Sequence, residues 1–435
     1  MITNFTQTFK TILALVMLLP LTMLLKAQPA TSDKNVHHDP MVMQPGYLAP
    51  EGDAAMAQVV TIGDYDNFKL GVDFAECSIA NNPKNPLQYY AVWNSTGSAG
   101  GKGYYTNDGF TWTAGNPTWN QMWGDVVVAY DSLGNLAYQN MYGASTIQGV
   151  KVAMSSNNGQ TWSTPVTANP GVDKNWIAAD QTAGPFANTI TGVMTANSGG
   201  SVSRSTNNGV SWQSSPNLSP QNLPGMSVCI GPKGSTQGGA QYVVTNSGSS
   251  FNANYTFFES NDGGATFQQR SSQMFANTVG TQVNGRNAVL NMRTRPYPNI
   301  AADNSYGPHR GRLYLVYASN NPAGNANKPD IFCRYSDNGG TTWSSAVVVN
   351  DDPNSAGNHY WFPAIWCEKN TGRLYISWMD TRDCPTSDSA MIYATYTDDG
   401  VNFAINQQNC NKKMKINCNS GGGGVTPIYL GVFNG

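Results

Sequence analysis

The octapeptide SDNGGTTW at residues 336–343 is one of six copies of a short phrase that organises this chain. The phrase reads S-x-D/N-x-G-x-T-W/F, and its other copies are YTNDGFTW at 105–112, SSNNGQTW at 155–162, STNNGVSW at 205–212, SNDGGATF at 260–267 and YTDDGVNF at 396–403. The closing aromatic residues are spaced 50, 50, 55, 76 and 60 residues apart. A recurring period near 50 residues indicates a stack of similar supersecondary units.

Each phrase has the composition of a tight turn. An Asn or Asp side chain can hydrogen-bond to the turn backbone, glycine adopts a φ that other residues resist, and the aromatic ring is buried beside the turn. The residues expected in these roles are Asn107, Gly109 and Trp112; Asn157, Gly159 and Trp162; Asn207, Gly209 and Trp212; Asp262, Gly264 and Phe267; Asn338, Gly340 and Trp343; and Asp398, Gly400 and Phe403.

Strand-like runs precede every phrase, such as DVVVAYD and VKVAMS before the second and GRLYLVYA and IFCRYS before the fifth. They are rich in Val, Ile and Tyr and are alternating or fully apolar, as is typical of strands buried between packed sheets. No segment shows a sustained helical period. We therefore predict an all-β fold, a six-bladed β-propeller of four-stranded antiparallel blades.

The six phrases resemble the Asp-box, or bacterial neuraminidase repeat, of the sialidase-like β-propellers, over roughly residues 60–410. The resemblance implies that each box forms the turn between the third and fourth strands of a blade, on the rim away from the active face. The box residues are then structural, so the resemblance predicts the architecture and leaves the function open.

The N-terminus has the features of a secretory signal. MITNFTQTFK is followed by an apolar run over residues 12–25 and by Lys26-Ala27-Gln28, which matches a short basic region, an apolar region and a small-residue exit. We predict a signal peptide over residues 1–27 and export to the medium, the periplasm or the cell surface. The apolar run is too short for a comfortable membrane span, and no later segment is longer, so no membrane span is expected.

The chain ends leave two interpretations open. Residues 28–60 are expected to form a leader, and 56–62 could close the ring by pairing with the last blade. The propeller itself is expected over 61–409. Residues 410–435 are either a closing strand or the start of a truncated continuation.

Composition excludes several classes of protein. Only 11% of residues are charged and the net charge is −2, against a usual charged fraction of about 25%. No basic stripe is present, so nucleic-acid binding is not expected. The chain has four histidines and no CxxC motif, and we expect neither a metal nor a cofactor. Seven cysteines leave at least one unpaired, with Cys410–Cys418 and Cys367–Cys384 as open pairings.

The usable face of a propeller is built from the loops that lead into each first strand and those that join the second and third strands. Aromatic rings and polar groups there could hold a sugar, whose C–H faces stack on rings while its hydroxyls need polar partners. The candidate ligand-binding residues are Trp119, Trp123, Trp176, Tyr297, Tyr360, Trp361, Arg293, Arg295 and Arg382. The candidate catalytic carboxylates are Glu76, Asp125, Asp173 and Asp380. Structural roles stay open for each, and Asp380, Arg382 and Asp383 could form a local ion-pair cluster.

The resemblance also implies a test for sialidase chemistry. Sialidases hold the substrate carboxylate with three arginines, because a guanidinium matches a carboxylate bidentately. The first of these lies in an FRIP-like motif before the first box, but here no arginine precedes Arg204 and no such motif exists. Arg204 lies on a third strand, close to a box. The sialidase catalytic set is therefore not expected.

Three functions remain in view. The favoured hypothesis is an exported propeller that recognises glycans or another extracellular surface without turnover. An alternative is a glycoside hydrolase with paired carboxylates, which sit ~5–5.5 Å apart for retention or ~6.5–9.5 Å for inversion. The third is a structural or adhesive surface protein.

Overall fold

The computed structural model of the 435-residue chain describes residues 59–62, 65–68, 70, 76–94, 101–249, 251–283, 286–290, 292–320, 327–384, 389–410, 413–415 and 431–432. Every regular element in these ranges is a β-strand. No membrane-spanning helix is found within them. The predicted signal peptide over residues 1–27 and the leader up to residue 58 lie outside the described residues.

Six four-stranded antiparallel sheets form the blades, and each uses four strands in chain order. Blade 1 contains Ser78–Asn81, Tyr89–Trp93, Lys102–Thr106 and Trp112–Ala114. Blade 2 contains Met122–Tyr130, Leu136–Tyr142, Gly149–Ser155 and Val166–Pro170. Blade 3 contains Asp173–Ala179, Ile190–Thr195, Gly200–Ser205 and Gln213–Leu218.

The second half of the ring follows the same order. Blade 4 contains Ser227–Lys233, Thr236–Ser249, Asn252–Ser260 and Gln268–Asn277. Blade 5 contains Asn299–Ala302, Leu313–Ser319, Asp330–Ser336 and Val347–Val348. Blade 6 contains Tyr360–Cys367, Leu374–Asp380, Ser389–Thr397 and Gln407–Gln408, and Met414–Lys415 also pairs with its third strand. The predicted six-bladed all-β propeller is confirmed.

The first strand of each blade is the innermost. From blade 1 to blade 6, each first strand packs against the first strand of the next blade. Because adjacent strands are antiparallel, the first strands begin on the face that also carries the connections between second and third strands. We call this the start face. The opposite face, the turn face, carries the connections from first to second and from third to fourth strands.

The hydrophobic core lies between the blades. Separate apolar clusters fill successive junctions, because each strand directs alternate side chains toward the two neighbouring blades. Tyrosine and tryptophan supply much of this volume, and Tyr90, Trp93, Tyr255 and Trp378 are almost wholly buried.

Two small sheets lie outside the blades. Thr281–Val283, Arg286–Val289 and Met292–Thr294 form one of them, within the long connection from blade 4 to blade 5. The other joins the two ends of the chain, since Val59–Ile62 pairs with Tyr65–Phe68, which pairs in turn with Gly431–Val432. The described part of 56–62 thus pairs with a neighbouring N-terminal strand and not with blade 6, which corrects the expected closure.

All six copies of the repeated phrase lie between the third and fourth strands of a blade, as predicted. We call them the repeat turns. In the turn of blade 2, Asn157 Oδ1 accepts from the amide of Thr161 at 2.9 Å, while the Ser155 hydroxyl accepts from the amide of Gly159 at 2.8 Å. The turns of blades 3, 4 and 5 repeat this pattern around Asn207, Asp262 and Asn338.

The turns of blades 1 and 6 are one residue shorter, and the assignment of Asn107 and Asp398 as their turn-forming residues is wrong. In blade 6 the amides of Val401 and Asn402 both donate to Asp399 Oδ1 at 2.8 Å. Asp108 has the same role in blade 1. The short turns contain one left-handed residue, the glycine, whereas the longer turns contain two in succession. The side chain that accepts from the turn amides therefore directly precedes the glycine in the short turns and lies one residue further from it in the longer ones.

Asn107 and Asp398, which were first assigned to those turns, instead link the two hairpins of their blades by hydrogen bonds. Asp398 binds Arg373 through two hydrogen bonds of 2.7 and 3.0 Å, and Asn107 accepts from Gln88 at 2.9 Å. Arg373 and Gln88 each directly precede the second strand of their blade. The side chain beside the turn acceptor therefore ties the repeat turn to the first hairpin.

The closing aromatics explain why the phrase accepts Trp or Phe. The indole nitrogens of the four tryptophans are buried and have no hydrogen-bond partner among the described residues; they belong to Trp112, Trp162, Trp212 and Trp343. Since the indole N–H makes no bond, phenylalanine meets the same need in blades 4 and 6.

Candidate ligand-binding site

One residue per blade occupies an equivalent position where the inner strand begins on the start face. In blade 2 this residue is Asp125, and the amide three residues after it, that of Val128, donates to the Ser78 hydroxyl of blade 1. In blade 5 it is Tyr297, and the amide of Ile300 donates in the same way to the Ser227 hydroxyl of blade 4. These contacts align Glu76 with Asp125 and Gly225 with Tyr297, and Lys174 and Phe362 are placed at the same position because each has a left-handed backbone at a shift of strand register. The six axial positions are therefore Glu76, Asp125, Lys174, Gly225, Tyr297 and Phe362.

The axial positions have unusual backbone geometry. Glu76, Asp125, Lys174 and Phe362 have φ values of 57°, 51°, 46° and 51°, and Gly225 also has a positive φ. A left-handed backbone costs a non-glycine residue roughly 1–2 kcal/mol. In blades 2, 3 and 6 the strand pairing shifts register at this residue. Bulges of this kind redirect a side chain, often beside a functional site.

Three of these redirected side chains meet near the propeller axis. Lys174 Nζ lies 2.8 Å from Glu76 Oε1, an ion pair that joins blade 3 to blade 1. Asn94 Nδ2 donates to Glu76 Oε2 at 3.0 Å and approaches Asp125 Oδ1 at 3.3 Å. Two carboxylates from neighbouring blades therefore face one amide nitrogen. Lys174 Nζ also lies 5.7 Å from the centre of the Tyr297 ring. We call these five residues the axial cluster.

The axial cluster is partly open to solvent. The side chains of Lys174 and Glu76 are 21% and 27% exposed, whereas Asp125 is buried. Burial opposes the charge on Lys174, but Glu76 and then Asp125 raise the pKa of the ammonium above its ordinary range. Lys174 is therefore charged at neutral pH, and both acids stabilise that charge.

Tyr297 lies against a gap that glycine provides. A Cβ at Gly225 would approach the Tyr297 ring within 2.2 Å, so any other residue at that axial position would displace the ring. The order Lys174, Gly225, Tyr297 in blades 3, 4 and 5 thus sets the ring beside the ammonium.

The other two predicted carboxylates lie outside the axial cluster. Asp173 is buried, and its Oδ1 accepts from the amide of Lys174 at 2.9 Å. Asp380 is fully buried at the end of the second strand of blade 6, where it accepts from Trp378 Nε1 at 3.0 Å and from Arg382 Nε at 2.9 Å. With no exposed surface, Asp380 is not a catalytic residue, which corrects that prediction.

Arg382 is held on three sides. Besides Asp380, it binds Asp351 Oδ1 at 2.8 Å and Asn406 Oδ1 at 3.1 Å, so its donors serve structural contacts, and a ligand-binding role for Arg382 stays a prediction. Burial raises the pKa of Asp380 to about 6, although Arg382 lowers it. Asp383 instead accepts from the Tyr393 hydroxyl. The expected local ion-pair cluster therefore forms through Asp380 and Arg382.

Most of the predicted aromatic residues serve the core. Tyr360 and Trp361 have no exposed surface, so they cannot stack on a ligand, which corrects their assignment. Trp123 and Trp176 are half-buried against the cluster between blades 2 and 3, and Trp119 packs edge-on to Tyr138. Tyr297 alone among these predicted aromatics joins the axial cluster.

The remaining predicted residues are two arginines. Arg293 lies in the strand Met292–Thr294, and Arg295 follows it, half-buried, two residues before Tyr297. Arg204, in contrast, reaches the turn face, where its Nη1 donates to the carbonyl oxygens of Asp262 and Gly263 at 2.8 and 3.0 Å. It fastens blade 3 to the repeat turn of blade 4.

The sequence reasoning missed Asn94. It follows the apolar strand YYAVW, and its only sequence signal is a polar residue that continues a buried strand. Cys367 and Cys384 are free thiols and so are not bridged to each other, and Cys418 lies outside the described residues. Within the described ranges no cluster of Cys, His, Asp or Glu has the make-up of a metal site.

No protein-family model and no curated protein matches the chain. Among solved structures, a protein of unknown function from Dyadobacter fermentans is 13% identical with a TM-score of 0.42, over 75% of this chain and 94% of that one. A NanB sialidase from Streptococcus pneumoniae is 10% identical with a TM-score of 0.46, over 76% and 68%. The Hadza microbial sialidase Hz136 is 14% identical with a TM-score of 0.42, over 70% and 63%. The chain thus spans less than two thirds of Hz136, and similarity at this level carries no inference about ligand or reaction.

Proposed function

We propose that this chain is an exported β-propeller that recognises a glycan, or another hydroxyl-rich extracellular surface, on its start face without turning it over. The observation that carries the proposal is the axial cluster, in which Lys174 and Glu76, both with a left-handed backbone, form an ion pair beside Asn94. Strained conformations of this kind persist where the surrounding structure holds them, and they cluster at functional sites. Export rests on the signal-like sequence at residues 1–27.

The chemistry of the axial cluster suits a ligand rich in hydroxyl groups. Glu76 supplies acceptors, Lys174 and Asn94 supply donors, and Tyr297 supplies a ring face. Sugars need such a mixture, since their hydroxyls both donate and accept while their C–H faces pack on rings. The partial exposure of Glu76 and Lys174 leaves these groups within reach of a ligand.

Binding without turnover is favoured because of Lys174. A two-carboxylate glycosidase needs a proton on one of its acids at the moment of bond cleavage. Here a charged ammonium lies 2.8 Å from Glu76, and its pKa is raised by Glu76 and then by Asp125 against the effect of burial. That charge favours ionised carboxylates and so opposes the general-acid role.

One observation favours a second candidate, a glycoside hydrolase. Glu76 and Asp125 both face the same Asn94 nitrogen, at 3.0 and 3.3 Å, so the two carboxylates share a point at the axis as a catalytic pair would. In this alternative Asp125 and Glu76 divide the acid and nucleophile or base roles.

The test combines a glycan array with a panel of chromogenic glycosides. The variants are Lys174→Met, Glu76→Gln and Asp125→Asn, and Asp398→Asn is the matched control on the turn face. We expect the wild type and the control to bind the same glycans, with binding weakened about tenfold or more in the Lys174 and Glu76 variants. Equal binding by all variants would overturn the axial site. Turnover by the wild type that Asp125→Asn abolishes would establish the hydrolase instead.

A further inference from the structure

The junction between blades 1 and 2 is closed on the turn face by Asn158. Its Nδ2 donates to the carbonyl oxygen of Thr106 at 2.7 Å and to Asn107 Oδ1 at 2.9 Å, and its Oδ1 accepts from the Tyr130 hydroxyl. Asn158 is only 2% exposed. The repeat turn of blade 2 is thereby sealed against that of blade 1.

Asn208 occupies the same position one blade later, but its junction is open. Both asparagines directly precede the glycine of a repeat turn and share a left-handed backbone, with φ of 59° for Asn158 and 56° for Asn208. Asn208 is exposed, and its side chain has no hydrogen-bond partner among the described residues. Two turns of the same sequence pattern thus leave different surfaces.

The difference arises from two buried positions. Tyr90, on the second strand of blade 1, and Tyr130, at the end of the inner strand of blade 2, pack in the core of the closed junction. By strand register the equivalent residues one blade later are Ala137 and Ala179, and both border the core of the open junction. Ala179 therefore offers Asn208 no hydroxyl of the kind that Tyr130 gives to Asn158.

A cleft of about 530 Å³ occupies this position between blades 2 and 3. Its walls include the apolar side chains of Met154, Trp162 and Val210, and its polar groups include the Thr161 hydroxyl and the Asn208 amide. No charged side chain lines it. The volume falls within the roughly 300–1,000 Å³ of small-molecule sites.

We propose that this cleft is a second ligand site, specific for a small uncharged saccharide. A charged ligand would lose water without meeting a counter-ion. A wholly apolar ligand would cover the Asn208 amide and leave it unbonded, which is costly. A neutral sugar ring has both an apolar face for Trp162 and hydroxyls for Asn208. The cleft lies on the opposite face from the axial cluster, so this inference does not depend on the proposed function.

The experiment is ligand-observed saturation-transfer NMR on the full chain. The probes are glucose, galactose and N-acetylglucosamine, with glucuronate as the charged comparison. Val210→Arg places a long cation in the cleft wall, and Val401→Arg is its matched control, since Val401 follows the glycine of another repeat turn. Asn208→Gly removes the amide but keeps a residue suited to a positive φ, so it preserves the turn if Val210→Arg impairs folding.

We expect at least one neutral sugar to bind, and both cleft variants to weaken that binding about tenfold. Val401→Arg should bind the neutral sugars as the wild type does, and neither cleft variant should change the signal of glucuronate. The proposal is overturned if none of the three neutral sugars binds or if both cleft variants bind as the wild type does. Loss of binding in Lys174→Met alone would also overturn it, because the sugar would then occupy the axial cluster.

Discussion

The two faces of the propeller follow the same repeat, but one face is conserved from blade to blade and the other varies. On the turn face, six turns repeat the same set of groups, namely a hydroxyl, an Asn or Asp acceptor, a left-handed glycine and an aromatic ring that is buried or half-buried. On the start face, six equivalent positions carry six different residues, namely Glu76, Asp125, Lys174, Gly225, Tyr297 and Phe362. The repeat builds the scaffold at one face, and the variation at the other makes that face chemically individual.

Backbone strain follows the same division. On the turn face the left-handed conformation falls to glycine or to asparagine, as at Asn158 and Asn208, residues that tolerate it. On the start face Glu76, Asp125 and Lys174 adopt it, although they gain nothing locally. The turn face is therefore relaxed, and the start face stores strain in three of the five residues that form the axial cluster.

The largest difference in the free energy of unfolding should come from breaking one ion pair on each face. Arg382→Met removes the partner of the fully buried Asp380 on the start face. An uncompensated buried charge is costly, so we expect the free energy of unfolding to fall by about 3–5 kcal/mol. The matched control is Arg373→Met on the turn face, which breaks an exposed pair with Asp398 and should cost up to about 1 kcal/mol. Urea unfolding midpoints measure both, and equal losses would contradict the assignment of Asp380 as a buried structural ion.

Strain at the axial positions can be tested by comparing the stability of an alanine and a glycine variant at the same residue. At Lys174 both Ala and Gly remove the ion pair, but only Gly relieves a φ of 46°. The glycine variant should therefore be more stable than the alanine variant by about 1 kcal/mol.

The control is Lys151, on the third strand of blade 2. In an extended strand glycine is the poorer residue, so Lys151→Gly should be less stable than Lys151→Ala by about 0.5–1 kcal/mol. The same order at both lysines, measured by thermal unfolding, would mean that the start face is not strained.

On the turn face, the two adjacent acids of blade 6 should differ. Asp399 accepts from two backbone amides, whereas Asp398 contacts only the exposed Arg373 among the described residues. Asp399→Ala should cost about 1 kcal/mol, as loss of a helix-cap acceptor does, and Asp398→Ala should cost less. A larger loss in the Asp398 variant, measured in parallel thermal melts, would restore the assignment made from sequence.

The period was enough to predict the blade count and the place of every repeat turn, because turn chemistry is local. The acceptor in the short turns was misplaced by one residue, since Asp398 and Asp399 look alike until the number of left-handed residues is known. Asp125 and Asp380 were likewise indistinguishable in sequence. Their difference lies in a bulge and in burial, which depend on contacts between distant segments.

The axial cluster shows the same limit from another side. Glu76, Asp125 and Lys174 lie in loops that the sequence places on the start face. The ion pair of Glu76 with Lys174 could not be predicted, because it joins blade 1 to blade 3. Asn94 offered no motif at all, because its role depends on where the second strand of blade 1 ends relative to the axis. The repeat locates the axial positions in the sequence, but which of their side chains are in contact depends on the assembled ring.

The smallest expected effect is a dependence on pH at the turn face. Partial burial works against ionised Asp262, but hydrogen bonds from the Thr266 hydroxyl and amide lower its pKa to about 2, below the roughly 3.9 of an unfolded chain. The folded state therefore binds fewer protons than the unfolded state between these values, so this contribution to stability is complete above about pH 4 and is lost as the pH falls toward 2. The melting temperature of Asp262→Asn should lie below that of the wild type at pH 7, and the gap should narrow between pH 4 and pH 2. A gap that widens in acid would show that the side chain is not held as a carboxylate in the turn.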